Sequence, residues 1–441
     1  MNASCKLHVV IVAVFLACLG ASSTTAAEPT NAKPEVVLQT WYDLILKLVR
    51  HTPTYSPPVA SRSLAYFGVT AFEAAATGSG ELRSLAGQLN ELTPVPQRAA
   101  GQTYDDAVVE QAALAFAAQH LFSNTGPTGQ RALAALEAKL RAEASAGLPA
   151  EVVARSQAHG EAVAAHILAW SQTDGGAVIE NMGFPWQYAL GKGAAHWVPT
   201  SLIAQQQMPL LPDWCKNRTL AMPNGAACAL PTPLDYSEAK TSEFYKQAFE
   251  VYQVKQSLSD EQRAIALFWS DDPMLSPTPP GHWVSIALQI LKREDVGLGK
   301  TVEVLALLGV AQADAFIGCW QTKYQYDLLR PVTYIRRVID PKWDPFINTP
   351  PFPEYPSGHS TQSAAAATVL SKLFGENFAF EDATRHGDGL APRAFPSFWA
   401  AAKEAGMSRL YGGIHFRAAI ERGLEQGRCI GAFVNALHTR R

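Results

Sequence analysis

Charge is scarce in this chain. Only 17% of its 441 residues are Asp, Glu, Lys or Arg, and the formal net charge is -3. That balance excludes a broad electropositive face, so nucleic acid is not an expected partner. Cysteine is sparse too, with six in all, which excludes a disulfide-rich scaffold. No Cys/His group has zinc-site spacing. Alternating runs of β-branched residues are almost absent, which argues against a sandwich or barrel. The apolar run Val9 to Leu19 is shorter than the ~20 residues that span a bilayer, and no later segment reads as a membrane span. There is no repeat of fixed period and no low-complexity tail.

What is present is apolar mass. The chain is 48% hydrophobic, enough for a large core in one large or two ordinary domains. Residues 1–27 stand apart: Lys6, the Val9–Leu19 run, then small residues to Thr25-Ala26-Ala27 before Glu28-Pro29. This order predicts a signal peptide cleaved after Ala27 and an exported protein, periplasmic or secreted. Export permits disulfides. Cys215 and Cys228 flank a turn-rich loop containing Asn217, Pro223, Asn224 and Gly225, which predicts a local disulfide. Cys319 and Cys429 lie in apolar, helix-like stretches and are expected to be buried single thiols.

The helical period dominates. It marks 36–51, 59–77, 104–122, 128–147 and 149–172 in an N-terminal half (28–236). In a C-terminal half (237–441) it marks 237–254, 259–270, 281–293, 296–329, 357–374, 396–411 and 415–437. Abundant alanine from 95 to 170 supports helix. A Pro/Gly-rich stretch from about 174 to 236 joins the halves, and 341–356 is a proline-rich loop. The expected fold is all-α: two four-helix-type bundles packed as one helical domain, with the site at one end of the C-terminal bundle.

The chemistry concentrates in three segments. Lys323 and Arg330 are seven residues apart, two turns if one helix carries both. Pro331 disfavours helix at Arg330. Pro356-Ser357-Gly358-His359 opens a helix whose free N–H groups and positive dipole end form an anion site. Gly358 lets that backbone come close, Ser357 adds a hydroxyl, and His359 is placed for proton exchange. Ser408-Arg409 precedes Gly412-Gly413 and His415, which would start the last helix. A lysine charge, two planar guanidinium forks and two histidines suit a tetrahedral oxyanion.

These segments, K-x6-RP, PSGH and SR-x5-H, resemble the signatures of the superfamily of vanadium-dependent haloperoxidases and type 2 phosphatidic acid phosphatases. The resemblance covers about 265–437. It implies that Lys323, Arg330, Ser357, Gly358 and Arg409 hold vanadate or phosphate oxygens. His359 would be the acid/base group. His415 would be the vanadium ligand, or the phosphoryl nucleophile of a phosphatase. The superfamily's aspartate four residues after the last histidine is replaced by Ala419. In the phosphatases that group orients the nucleophile, so its absence favours the haloperoxidase and leaves a backbone carbonyl as one way to orient His415. Trp320 and Phe352 match aromatics on the halide side of similar haloperoxidases. Phe268-Trp269-Ser270-Asp271-Asp272 resembles a further stretch, in which Asp272 would pair with Arg409. His282 is a lesser candidate, for the entrance.

The implied activity is oxidation of a halide by hydrogen peroxide to hypohalous acid, with vanadate as cofactor and an organic acceptor as a further partner. Phosphate fits the same site. An exported acid phosphatase using His415 is the first alternative, and a non-catalytic oxyanion-binding protein the second.

Overall fold

The computed structural model describes residues 32–179, 183–203 and 206–441. The leader expected at 1–27 lies outside them.

The helices are α1 (Pro34–Arg50), α2 (Pro57–Ala76), α3 (Asp106–Leu121), α4 (Gly126–Ser145), α5 (Ala150–Ser171) and the single turn α6 (Gly176–Ile179). After the long connection come α7 (Glu243–Gln256), α8 (Asp260–Phe268), α9 (Thr278–Arg293), α10 (Leu298–Tyr326), α11 (Pro331–Val338), α12 (Gly358–Phe374), α13 (Phe398–Tyr411) and α14 (Arg417–Asn435). Among the described residues the sheet is one small hairpin: β1 (Phe380–Asp382) runs antiparallel to β2 (Arg393–Phe395), with Phe380 opposite Phe395. The fold is all-α, as expected.

Local signals set many helix ends. α1 starts with a proline and Glu35 in its first turn and ends with Lys47 and Arg50, matching the helix dipole. α8 has a capping box between Ser259 and Gln262. Ser357 caps α12 by accepting from the Ser360 N–H.

Helix α10 is the axis. By length and composition it is apolar enough to cross a membrane, which corrects the reading that no segment is. Its long apolar window is wholly buried in the protein, so here it is a core helix, apolar on all sides because helices surround it. Small residues let it approach α2: a Cβ on Gly309 would lie 2.9 Å from the Ala65 Cα, and one on Gly68 2.9 Å from the Leu305 carbonyl. One apolar core therefore runs from Val37 of α1 to Val434 of α14. A smaller cluster, with Phe244, Leu328, Tyr334, Trp343, Tyr355 and Phe416, backs the site region.

The connection between the halves is not pinned as expected. The disulfide is Cys228–Cys429, while Cys215 and Cys319 are free. Loop length favoured the local pair, but packing places Cys228 against α14. Burial pushes both free thiols up. The connection is also held by Asp314 of α10, whose carboxylate accepts from the Leu220, Ala221 and Met222 N–H groups at 2.6–2.8 Å.

Candidate active site

Four chain segments deliver the site. The first is the end of α10. The helix stops at Tyr326, where Asp327 takes a left-handed conformation (φ 47°). Lys323 and Arg330 therefore do not share one helix: Lys323 is in the last turn of α10, and Arg330 is the N-cap of α11. The Pro331 ring preset the start of a new helix that the periodicity had not separated.

Arg330 is fully buried. Its Nε donates to the Phe352 carbonyl (2.7 Å), its Nη1 to the Ile414 carbonyl (3.0 Å) and to His415 Nε2 (3.1 Å), and its buried Nη2 has no partner among the described residues. Burial lowers its pKa to about 10. Lys323 is equally buried and donates to three carbonyls of the proline-rich loop, Pro353 (2.9 Å), Glu354 (3.1 Å) and Pro356 (2.5 Å). Burial lowers its pKa to about 7. Its three hydrogens are thus used on the loop, so it offers an anion positive charge at a distance rather than a direct donor.

The second segment is that loop and the start of α12. Ser357 and Gly358 sit where the helix presents its free N–H groups, as the sequence suggested. A Cβ added to Gly358 would meet only the Trp320 ring, at 3.9 Å, so the backbone is open on that side. Trp320 and Phe352 pack at 5.0 Å. Lys323 Nζ lies 5.1 Å from the Phe352 centroid, and the Arg330 guanidinium 4.9 Å from it. The aromatic wall and the cations are therefore one unit.

His359, in the first turn of α12, keeps 17% of its side chain exposed; its Nε2 has no hydrogen-bond partner among the described residues and lies 3.8 Å from Asp271 Oδ2. Burial, then the Arg409 charge, lowers its pKa to about 4. It is neutral at pH 7 and able to accept a proton.

The third segment is the end of α13. Arg409 is buried; its Nε donates to Ser408 Oγ (2.9 Å) and its Nη2 to the Trp269 carbonyl. Burial lowers its pKa to about 10. The expected ion pair with Asp272 does not form among the described residues. Asp272 acts on Arg409 only through space, because the guanidinium is turned to the Trp269 carbonyl.

The neighbouring Asp271, which the sequence did not single out, is the structural acid here. It is held at φ 50°, binds His282 Nδ1 (3.0 Å) and Arg385 (3.0 Å), and stands behind His359. His282 is not at an entrance. It is buried between Asp271 and Asp382, whose Oδ2 is 2.9 Å from its Nε2. Burial opposes charging, yet the two carboxylates outweigh it and push His282 up to about 10. The same imidazolium helps hold both acids below the usual carboxylate range.

The fourth segment is the turn before α14. That helix begins at Arg417, so His415 lies in the turn before it rather than at its start. His415 Nδ1 is 2.8 Å from Glu354 Oε1, which also accepts the Phe416 N–H (2.8 Å). A carboxylate, rather than a backbone carbonyl, therefore orients this ring. Burial, then Arg330 and Lys323, holds His415 well below its ordinary pKa. Burial pushes Glu354 up to about 7, against Arg330, the Phe416 N–H and Lys323. The signal for Glu354 was in the sequence: it is the only charged residue from Asn348 to Gly358.

The donor set fits a tetrahedral oxyanion. Three buried cations surround one corner, a buried guanidinium nitrogen lacks a partner among the described residues, and a helix start opens beside them.

Comparison with known proteins agrees. The VCPO second helical-bundle domain matches residues 303–342 and 338–441. A solved structure described as the first bacterial vanadium-dependent iodoperoxidase is 38% identical, with a TM-score of 0.84, covering 94% of this chain and 98% of that one. The chain belongs to the vanadium-dependent haloperoxidases. The vanadium chloroperoxidase of Curvularia inaequalis is 27% identical over 217 residues, 35% of this chain. The chain spans 36% of that relative's length. A bacterial vanadium-dependent chloroperoxidase in its apo form shares the fold, with a TM-score of 0.67 at 16% identity over 87% of this chain and 93% of that one.

Proposed function

We propose that the protein uses vanadate to oxidise a halide with hydrogen peroxide, consuming one proton and giving hypohalous acid and water. The observation that carries this is a buried His415, oriented by Glu354 at Nδ1 and facing Arg330 at Nε2, beside buried cations around the start of α12. Arg330 through Nη2, Ser357, the first N–H groups of α12 and Arg409 would hold the oxygens, and His415 the metal. Bound vanadate would supply Lewis-acid activation of peroxide without a change of oxidation state.

The residues do the rest. His359, neutral at pH 7, takes a proton from hydrogen peroxide and returns it to the leaving oxygen. Lys323 and Arg330 draw electron density from the oxidant by their charge. Trp320 and Phe352 form an apolar wall that excludes water on the side where a halide approaches. Iodide is the expected first substrate, being the easiest of the three halides to oxidise and the substrate named for the 38% identical relative. Export is part of the same proposal. Residues 1–27 read as a leader, and the Cys228–Cys429 disulfide suits an oxidising compartment.

The phosphatase reading gains one observation: Glu354 supplies the carboxylate that a nucleophilic His415 would need. The deciding experiment is parallel. The mature chain, dialysed free of phosphate, is assayed for peroxide-dependent oxidation of iodide, bromide and chloride with and without orthovanadate. Nitrophenyl phosphate hydrolysis is followed on the vanadate-free protein. The proposal requires halide oxidation that depends on vanadate and disappears in His415→Ala. Hydrolysis inhibited by vanadate, with no halide oxidation, would transfer the assignment to phosphatase.

A further inference from the structure

His415 is held from both sides. On one side, Nδ1 lies 2.8 Å from Glu354 Oε1. At the same oxygen the Phe416 N–H arrives at 2.8 Å, and an oxygen that accepts from an amide presents a lone pair to the ring as well. Nδ1 therefore carries the hydrogen. On the other side, Nε2 lies 3.1 Å from Arg330 Nη1, and a guanidinium only donates. Nε2 therefore carries the lone pair. Two independent partners select one tautomer, the one a metal-binding Nε2 requires.

Glu354 is itself fixed. It is fully buried; its N–H donates to the Leu328 carbonyl (2.9 Å) and its carbonyl accepts from Lys323 (3.1 Å). Three residues later Ser357 opens α12, and the Ser357 N–H donates to the Ala419 carbonyl at 3.0 Å. Position 419, where the superfamily motif has an aspartate, thus contributes its backbone to seating the anion-binding loop. The carboxylate comes from that loop instead. One short stretch, Glu354 to Gly358, sets both the ring and the helix start.

We propose that Glu354 is the positioning residue of this site: it locks His415 in the tautomer whose Nε2 is unprotonated and has a lone pair to offer vanadium. The role rests on the vanadate reading above, and the test separates the two. In vanadate-free protein labelled with 15N-histidine, imidazole spectra report which ring nitrogen is protonated; the His415 signals among the 11 histidines are those lost in His415→Gln. Wild type should show a protonated Nδ1 and a bare Nε2. Glu354→Gln, which keeps an oxygen for both the ring and the Phe416 N–H, should preserve that pattern. Glu354→Ala should lose it.

Orthovanadate titration by calorimetry should then show affinity about 10–100-fold weaker for Glu354→Ala, with Glu354→Gln between it and wild type. Thermal unfolding without vanadate shows whether each variant is folded. If Glu354→Ala is not, the wild-type spectrum and Glu354→Gln still decide. A wild-type ring protonated at Nε2 overturns the proposal, as does wild-type vanadate affinity in both variants. Wild-type protein that binds no orthovanadate sinks the vanadate reading itself, whatever the tautomer.

Discussion

Removing the Cys228–Cys429 disulfide should lower the melting temperature by a predictable amount. The bond joins residues 201 positions apart, tying the long connection to α14. In the chain-entropy account, closing a loop of that length removes about 18 cal/mol/K from the unfolded state, or ~5 kcal/mol at 25 °C. Unfolding entropy is ~2.1 cal/mol/K per residue, so for the 405 described residues the expected fall is about 6 °C. The variant is Cys228→Ala/Cys429→Ala, compared with oxidised wild type by calorimetry. The single variant Cys215→Ala, which removes a free thiol, serves as control and should shift little. Thiol counting is the companion assay: denatured mature protein should show two free thiols, Cys215 and Cys319, before reduction and four after. Equal melting of wild type and double variant would refute the entropic argument. Free Cys228 and Cys429 would refute the pairing.

Other outcomes follow from the site and its supports. The buried Asp271–His282–Asp382 cluster should make stability fall at alkaline pH. His282 is raised from 6.5 to about 10, so its contribution is complete below pH 6.5 and is lost as pH rises through 10. The two carboxylates lose theirs only in acid. Asp382→Asn should bring the alkaline fall in melting temperature to lower pH and destabilise by about 3 kcal/mol at neutrality; an unchanged pH profile would show that the cluster is not an ion network. Gly427→Ala would place a Cβ 2.0 Å from the Thr361 carbonyl and so force α14 off α12. We expect a loss of about 3 kcal/mol or more, read by urea unfolding. His359→Ala should keep vanadate affinity within about threefold while peroxidase kcat falls about 10²–10⁴-fold; parallel loss of both would mean that His359 binds rather than transfers protons.

The helices of this protein were largely legible in the sequence because apolar period, prolines and caps are local. Pro57, Ser259 and Ser357 each mark a helix start by their own chemistry. The break between α10 and α11 was less legible. It depends on Asp327 adopting a left-handed conformation while Leu328 and Leu329 pair with the loop around His196, a contact no window of sequence contains. For the site, the residue types and their order announced an oxyanion chemistry: Lys323, Arg330, Ser357, Gly358, His359, Arg409 and His415 stand in three short stretches. Their division of labour was decided only in space. Lys323 turned its hydrogens to the loop, Asp272 stood off from Arg409, and Asp271 became the acid behind His359. Glu354 came to His415 from 61 residues away in the chain. Cys228 likewise found Cys429 rather than its near neighbour. Local sequence fixes backbone preference and chemical type, since both are properties of adjacent residues. Which carboxylate meets which ring, and which thiol meets which, is set by the packing of helices distant in the chain, where burial makes an unpaired charge too costly to keep.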